Sequence, residues 1–78
     1  MEEIIKTVLA ETIEGADPDS WGPDTDIIND IGIDSLQTVR FLMALEDRLG
    51  ISIDYEELSF DDFSSIRALA AFMERQMK

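Results

Sequence analysis

Between Leu36 and Leu49 the chain carries more apolar residues than one narrow helical stripe can hold, and they sort into two strips. Thr38, Phe41, Leu42, Leu45 and Leu49 recur at i, i+3, i+4, i+7 and i+11, the spacing of a core-facing helical stripe. Leu36, Val39 and Met43 line an adjacent strip that is left at the edge or outside once the first strip is buried. Asp34 precedes the segment as a helix N-cap, and Gly50 follows it as a C′ residue. Such a segment must be a helix, and it needs other apolar faces to pack against.

Those faces come from two further amphipathic segments. From Glu2 to Ile13 the residues Ile4, Ile5, Val8, Leu9 and Ile13 repeat at helical spacing, with glutamates in the first turn opposite the helix dipole. Gly15 stops this helix. Ala16 to Asp30 follows with Pro18, Gly22, Pro23 and five aspartates, which predicts a long ordered loop anchored by Trp21, Ile27, Ile28 and Ile31. After Gly50, Ile51 to Asp54 is too short to pair as a strand and reads as a connection. One helical turn is expected over Tyr55 to Ser59, with Leu58 inward, interrupted by Asp61-Asp62. Ser64 or Ser65 caps a last helix whose inner face is Ile66, Leu69, Ala70 and Met73, flanked by Phe72 and Met77, with Phe63 as a hydrophobic staple. The expected fold is all-α, a small bundle of three main helices, one short helix and a long first loop, forming a single domain over residues 1–78.

Composition narrows what such a bundle can do. A chain of 78 residues buries only about 60–65% of the surface its unfolded form exposes, so its core is small. Eighteen acidic against six basic residues leave a net charge of -12. That charge opposes nucleic acid and anionic lipid, and it favours protein partners. The absence of both Cys and His removes disulfides, thiolate zinc sites, cysteine nucleophiles and histidine general bases. No apolar run approaches the roughly 20 residues of a membrane span, and the N-terminus is acidic where a signal peptide is basic. A cytoplasmic, monomeric protein is the expectation.

Three chemical readings fail on their own terms. A calcium loop framed from Asp17 has Gly22 at its sixth position, but Trp21 stands at the fifth and Ile28 at the twelfth, where a carboxylate must close the site. Ser35 as a nucleophile has only Lys6, Lys78 or a carboxylate such as Asp34 to call on as base. Gly32 alone is a turn residue and not a phosphate cradle. What survives is Ser35 as an exposed hydroxyl in the first turn of a helix, beside a positive dipole end that suits a phosphate.

At Gly32-Ile33-Asp34-Ser35-Leu36 the chain resembles the acyl and peptidyl carrier proteins, which bear a 4′-phosphopantetheine arm on the serine of a D-S-L motif. The resemblance extends from Asp24 to Ile31 before the serine and from Leu36 to Glu46 after it. It implies the carrier four-helix bundle and no enzymatic activity. It also implies attachment of the arm to Ser35 by a separate phosphopantetheinyl transferase using coenzyme A, and thioester-bound acyl cargo on the arm's terminal thiol. By the same resemblance the second helix docks the acyl-loading and acyl-processing enzymes. Leu36, Val39 and Met43 are then candidate partner contacts, with Asp34 and Glu46 as charged neighbours, and Gln37, Val39, Arg40 and Met43 are expected to decide to whom the cargo is delivered.

One departure from the family pattern stands out. Fatty-acid carriers hold this helix strongly acidic, whereas here Gln37, Arg40 and Arg48 intervene and residues 31–50 carry a net charge of only -1. Residues 1–30 carry -8 and residues 51–78 carry -3, so basic partner patches find little to pair with on the docking helix. The expected role is an acyl carrier for fatty-acid or polyketide-type biosynthesis, with a dedicated specialised pathway comparably placed. The alternatives are a freestanding aminoacyl or peptidyl carrier, against which the aspartate before Ser35 leans, and an unmodified acidic adaptor. Trp21, Phe41 and Phe63 are bulky enough to restrict any cavity for cargo.

Overall fold

The computed structural model describes residues 1–77 and contains three α-helices: α1 (Glu2–Thr12), α2 (Ser35–Leu49) and α3 (Ile66–Gln76). Short helical turns stand between them, 3-10 at Pro18–Ser20 and Phe60–Phe63 and a π turn at Ile27–Ile31. Helix α1 packs against both α2 and α3, while α2 and α3 approach each other less closely. The Phe60–Phe63 turn packs on α3. Among the described residues no helix is long and apolar enough to cross a membrane.

The core forms where the expected stripes converge. Ile5, Val8 and Leu9 of α1 meet Phe41, Leu42 and Leu45 of α2 and Ile66, Leu69, Ala70 and Met73 of α3, with no buried polar or charged residue among those described. Phe72, expected only to flank the inner face of α3, is 1% exposed and belongs to the core. Helix α3 therefore buries a wider face than its main stripe. Ile27 is fully buried, and Trp21, Ile28 and Ile31 pack against the same cluster, so the first loop is pinned by the anchors expected of it.

That loop is also held by polar contacts that satisfy a helix end. The first N–H groups of a helix lack partners within it. At α3 the Ile66 N–H donates to the Thr25 carbonyl at 3.1 Å and the Arg67 N–H to the Pro23 carbonyl at 2.9 Å. Ser65 completes the set, its Oγ accepting from Ala68 N–H at 3.0 Å, so Ser65 and not Ser64 is the cap. Phe63 is buried but lies one residue too far from Ser65 for the staple position.

The short helix falls later than the spacing suggests. Tyr55 to Glu57 is only a turn, closed by Glu57 N–H to the Asp54 carbonyl at 3.1 Å, and the helical turn covers Phe60–Phe63. Asp61-Asp62 therefore sits inside the helical turn and does not interrupt it. Asp62 Oδ2 accepts from the Ser59 N–H at 2.9 Å, and both aspartates lie in the first turn, where negative charge opposes the helix dipole favourably.

The π turn at Ile27–Ile31 is built on Asp26, whose Oδ1 accepts from the N–H groups of Ile28 and Asn29, both at 2.9 Å, while Oδ2 accepts from Asn29 Nδ2 at 2.9 Å. The Asn29 backbone bond first, then the Asn29 side chain and the Ile28 N–H, hold the Asp26 carboxyl below its ordinary value of 3.8. A depressed folded pKa contributes stability that is present above the unfolded value and lost as pH falls through the folded one. Thermal melts at pH about 4 and below are therefore expected to show a flatter acid limb in Asp26→Asn than in the wild type. An unchanged acid limb would remove Asp26 as a source of the acid sensitivity.

Candidate functional site

Ser35 is positioned by its immediate neighbours on both sides. Gly32 ends the π turn with φ +79°, a left-handed conformation that glycine adopts at little cost, and a Cβ there would meet nothing within 4 Å. The requirement at Gly32 is thus the backbone angle and not space. The chain then buries Ile33 and enters α2 at Asp34.

Asp34 and Gln37 form a reciprocal cap. Asp34 Oδ1 accepts from Gln37 N–H at 2.8 Å, and Gln37 Oε1 accepts from Asp34 N–H at 3.1 Å. Thr38 Oγ1 donates to the Asp34 carbonyl at 2.7 Å. Ser35, the first helical residue, is left exposed, and among the described residues its Oγ has no hydrogen-bond partner. The hydroxyl therefore projects beside the positive end of a 15-residue helix. That end favours an attached phosphate by about 0.3–1 kcal/mol, a modest and salt-screened amount. Exposure and geometry define the site more than this energy does.

Beside Ser35 lies an open groove of about 530 Å³. Its walls come from Ile28 of the π turn, Ile33 and Thr38 flanking the start of α2, and Leu58, Phe60 and Phe63 from the connection to α3. Phe60 is 79% exposed. Sequence spacing missed Phe60, and the one signal pointing to it is a large aromatic residue among Ser59, Asp61 and Asp62 with no apolar periodicity to bury it. Of the residues expected to restrict a cavity, Phe63 lines the groove, whereas Phe41 is in the core and Trp21 packs against it elsewhere.

The second apolar strip of α2 is displayed as its spacing predicts. Leu36, Val39 and Met43 are 60%, 54% and 59% exposed, and Arg40 is exposed among them. Gln37 is half-buried and engaged in the cap. Glu46, expected as a charged neighbour of the strip, is engaged internally: Oε2 accepts from Ile53 N–H at 2.7 Å and Oε1 from Tyr55 Oη–H at 2.9 Å. It ties the α2–α3 connection down, and burial, with the Glu46 bond and charge second, raises the Tyr55 pKa above 10.0.

Among the described residues no candidate base is placed for Ser35 chemistry. Lys6 pairs with Glu3 on α1 at 3.7 Å, Asp34 is committed to the cap, and Lys78 lies outside the described residues. The geometry thus presents an unassisted, solvent-facing hydroxyl at a helix start beside an apolar groove. Sequence comparison supplies the family. Residues 3–73 match the family described as "Phosphopantetheine attachment site". The chain is 32% identical over 69 residues to a protein named acyl carrier protein from Streptomyces coelicolor, covering 88% of this chain and 73% of that relative. It is 32% identical over 57 residues to an acyl carrier protein from Desulforapulum autotrophicum, covering 73% of this chain and 74% of that one. The chain belongs to the acyl carrier protein family, whose members are phosphopantetheine-bearing carriers and not enzymes.

Proposed function

We propose that Ser35 is the residue that bears the 4′-phosphopantetheine arm and that the chain, as one carrier domain, serves fatty-acid or polyketide-type biosynthesis. The observation that carries the assignment is the free, exposed Oγ at the first position of α2, fixed there by the Asp34–Gln37 cap. In the attachment step Ser35 Oγ loses its proton and forms a phosphoester bond to the pantetheine phosphate of coenzyme A. The bond to adenosine 3′,5′-bisphosphate breaks, and the transferase supplies base and metal. Once attached, the arm holds acyl groups as thioesters on its terminal thiol.

This chain's own residues then do two things. The groove walls Ile28, Ile33, Leu58 and Phe60 offer apolar surface next to the attachment point, and the exposed Leu36, Val39 and Met43 give synthases and transferases an apolar ridge to dock on. The test is intact mass after incubation with coenzyme A, magnesium and a broad-specificity phosphopantetheinyl transferase. A gain of one phosphopantetheine is expected. No gain with a transferase that loads a control carrier would overturn the reading and leave an unmodified adaptor in its place.

A further inference from the structure

Four of the five basic side chains among the described residues are paired: Lys6 with Glu3, Arg48 with Glu11, Arg67 with Asp24 and Arg75 with Asp62. Arg40 is the fifth, and among the described residues no carboxylate stands within ion-pair distance of it. Its helical neighbours at i-4, i-3, i+3 and i+4 are Leu36, Gln37, Met43 and Ala44, none of them acidic. In a chain of net charge -12, the one basic side chain without an ion-pair partner among the described residues thus sits in the middle of the exposed apolar ridge. The nearby acids do not serve it: Asp34 closes the helix cap, Glu46 holds Ile53 and Tyr55, and the exposed Asp47, two helical turns further along α2, forms no ion pair with it.

A partner that covers Leu36 and Met43 must also strip water from Arg40, which lies between them on the helix surface. A desolvated guanidinium with no counter-charge is strongly unfavourable, and one met by a second cation is worse. A carboxylate reverses the sign, because the planar guanidinium fork binds it through two parallel hydrogen bonds. We infer that the α2 ridge of this chain is shaped for a partner enzyme whose apolar docking recess carries a carboxylate facing Arg40, and that it selects against partners with basic recesses. The inference rests on the carrier reading of Ser35 and names the chemistry of the partner that reading requires.

The test uses the full chain in holo form, wild type and Arg40→Glu, each checked by intact mass before kinetics. The probe is a bacterial malonyl-CoA transferase of fatty-acid synthesis with a basic docking recess, used alongside a form of it in which the recess cation is reversed to glutamate. With the basic recess, Arg40→Glu is expected to raise kcat/KM for malonyl transfer about tenfold, mostly through KM. With the reversed recess the wild type is expected to be the better substrate by a similar factor, and Arg40→Gln to fall between the two. Equal rates for wild type and Arg40→Glu with both recesses would overturn the inference, as would preference of the wild type for the basic one. Failure to form holo protein at all would overturn the carrier reading itself, so the two failures are told apart at the mass-spectrometry step.

Discussion

Ser35→Ala is expected to show no mass gain under conditions that load the wild-type chain to completion, while melting at nearly the same temperature. The loss is total because the oxygen that forms the bond is gone and no nearby hydroxyl replaces it. Thr38 Oγ1 donates to the Asp34 carbonyl at 2.7 Å, and Ser59, across the groove, holds its hydroxyl against Asp62 at 3.3 Å. Stability is unaffected because Ser35 Oγ makes no protein hydrogen bond among the described residues and alanine is at least as good a helix former. The Asp34–Gln37 cap, which does stabilise the helix start, is untouched. Retained loading in Ser35→Ala would move the attachment point to another hydroxyl, and peptide mapping would show which.

Phe41→Ala carries the largest expected cost in stability. Phe41 is fully buried on the same helix that presents Ser35. Truncating a buried phenylalanine costs about 3–5 kcal/mol through lost transfer energy and the cavity left behind. A domain of this size has only about 4–12 kcal/mol in total. At about 4–8 °C per kcal/mol for a small domain, the melting temperature should fall by about 12–40 °C. Val39→Ala, two positions earlier and 54% exposed, should change stability by no more than about 0.5 kcal/mol. Thermal melts followed by circular dichroism compare the two directly, and similar melting temperatures would contradict the division of α2 into a buried and a displayed strip.

That division was legible in the sequence because it is a matter of period. Helical spacing places Phe41, Leu42 and Leu45 on one face and Leu36, Val39 and Met43 on another whatever the rest of the chain does, and the burial of each agrees. The position of Ser35 was legible for a similar reason, since Asp34 and Gln37 three residues later form a local cap that needs no distant contact. The short helix was misplaced because its formation depends on Ser59 and Asp62 capping each other and on packing against α3. Neither shows as apolar periodicity in so short a stretch. Phe72 was undervalued because the width of a buried face depends on what packs around the helix.

By itself, then, the sequence determined three helices, the two strips of α2, an exposed serine at that helix's start and the chemistry that lacks the residues to occur. Only the tertiary structure decided which charges are already engaged and which surfaces meet. Arg48 finds Glu11 across 37 positions of sequence at 3.1 Å, Gln76 reaches Asp54 and Glu57, and Glu46 is withdrawn into the α2–α3 connection. The groove beside Ser35 likewise draws its walls from three separated segments. The physical reason is range: helix formation and capping are settled within a few residues, whereas ion pairing and cavity shape depend on segments that become neighbours only after the bundle closes. That is how Arg40, one of six basic residues in the chain, emerges as the unpaired basic side chain among those described, on the ridge displayed beside Ser35.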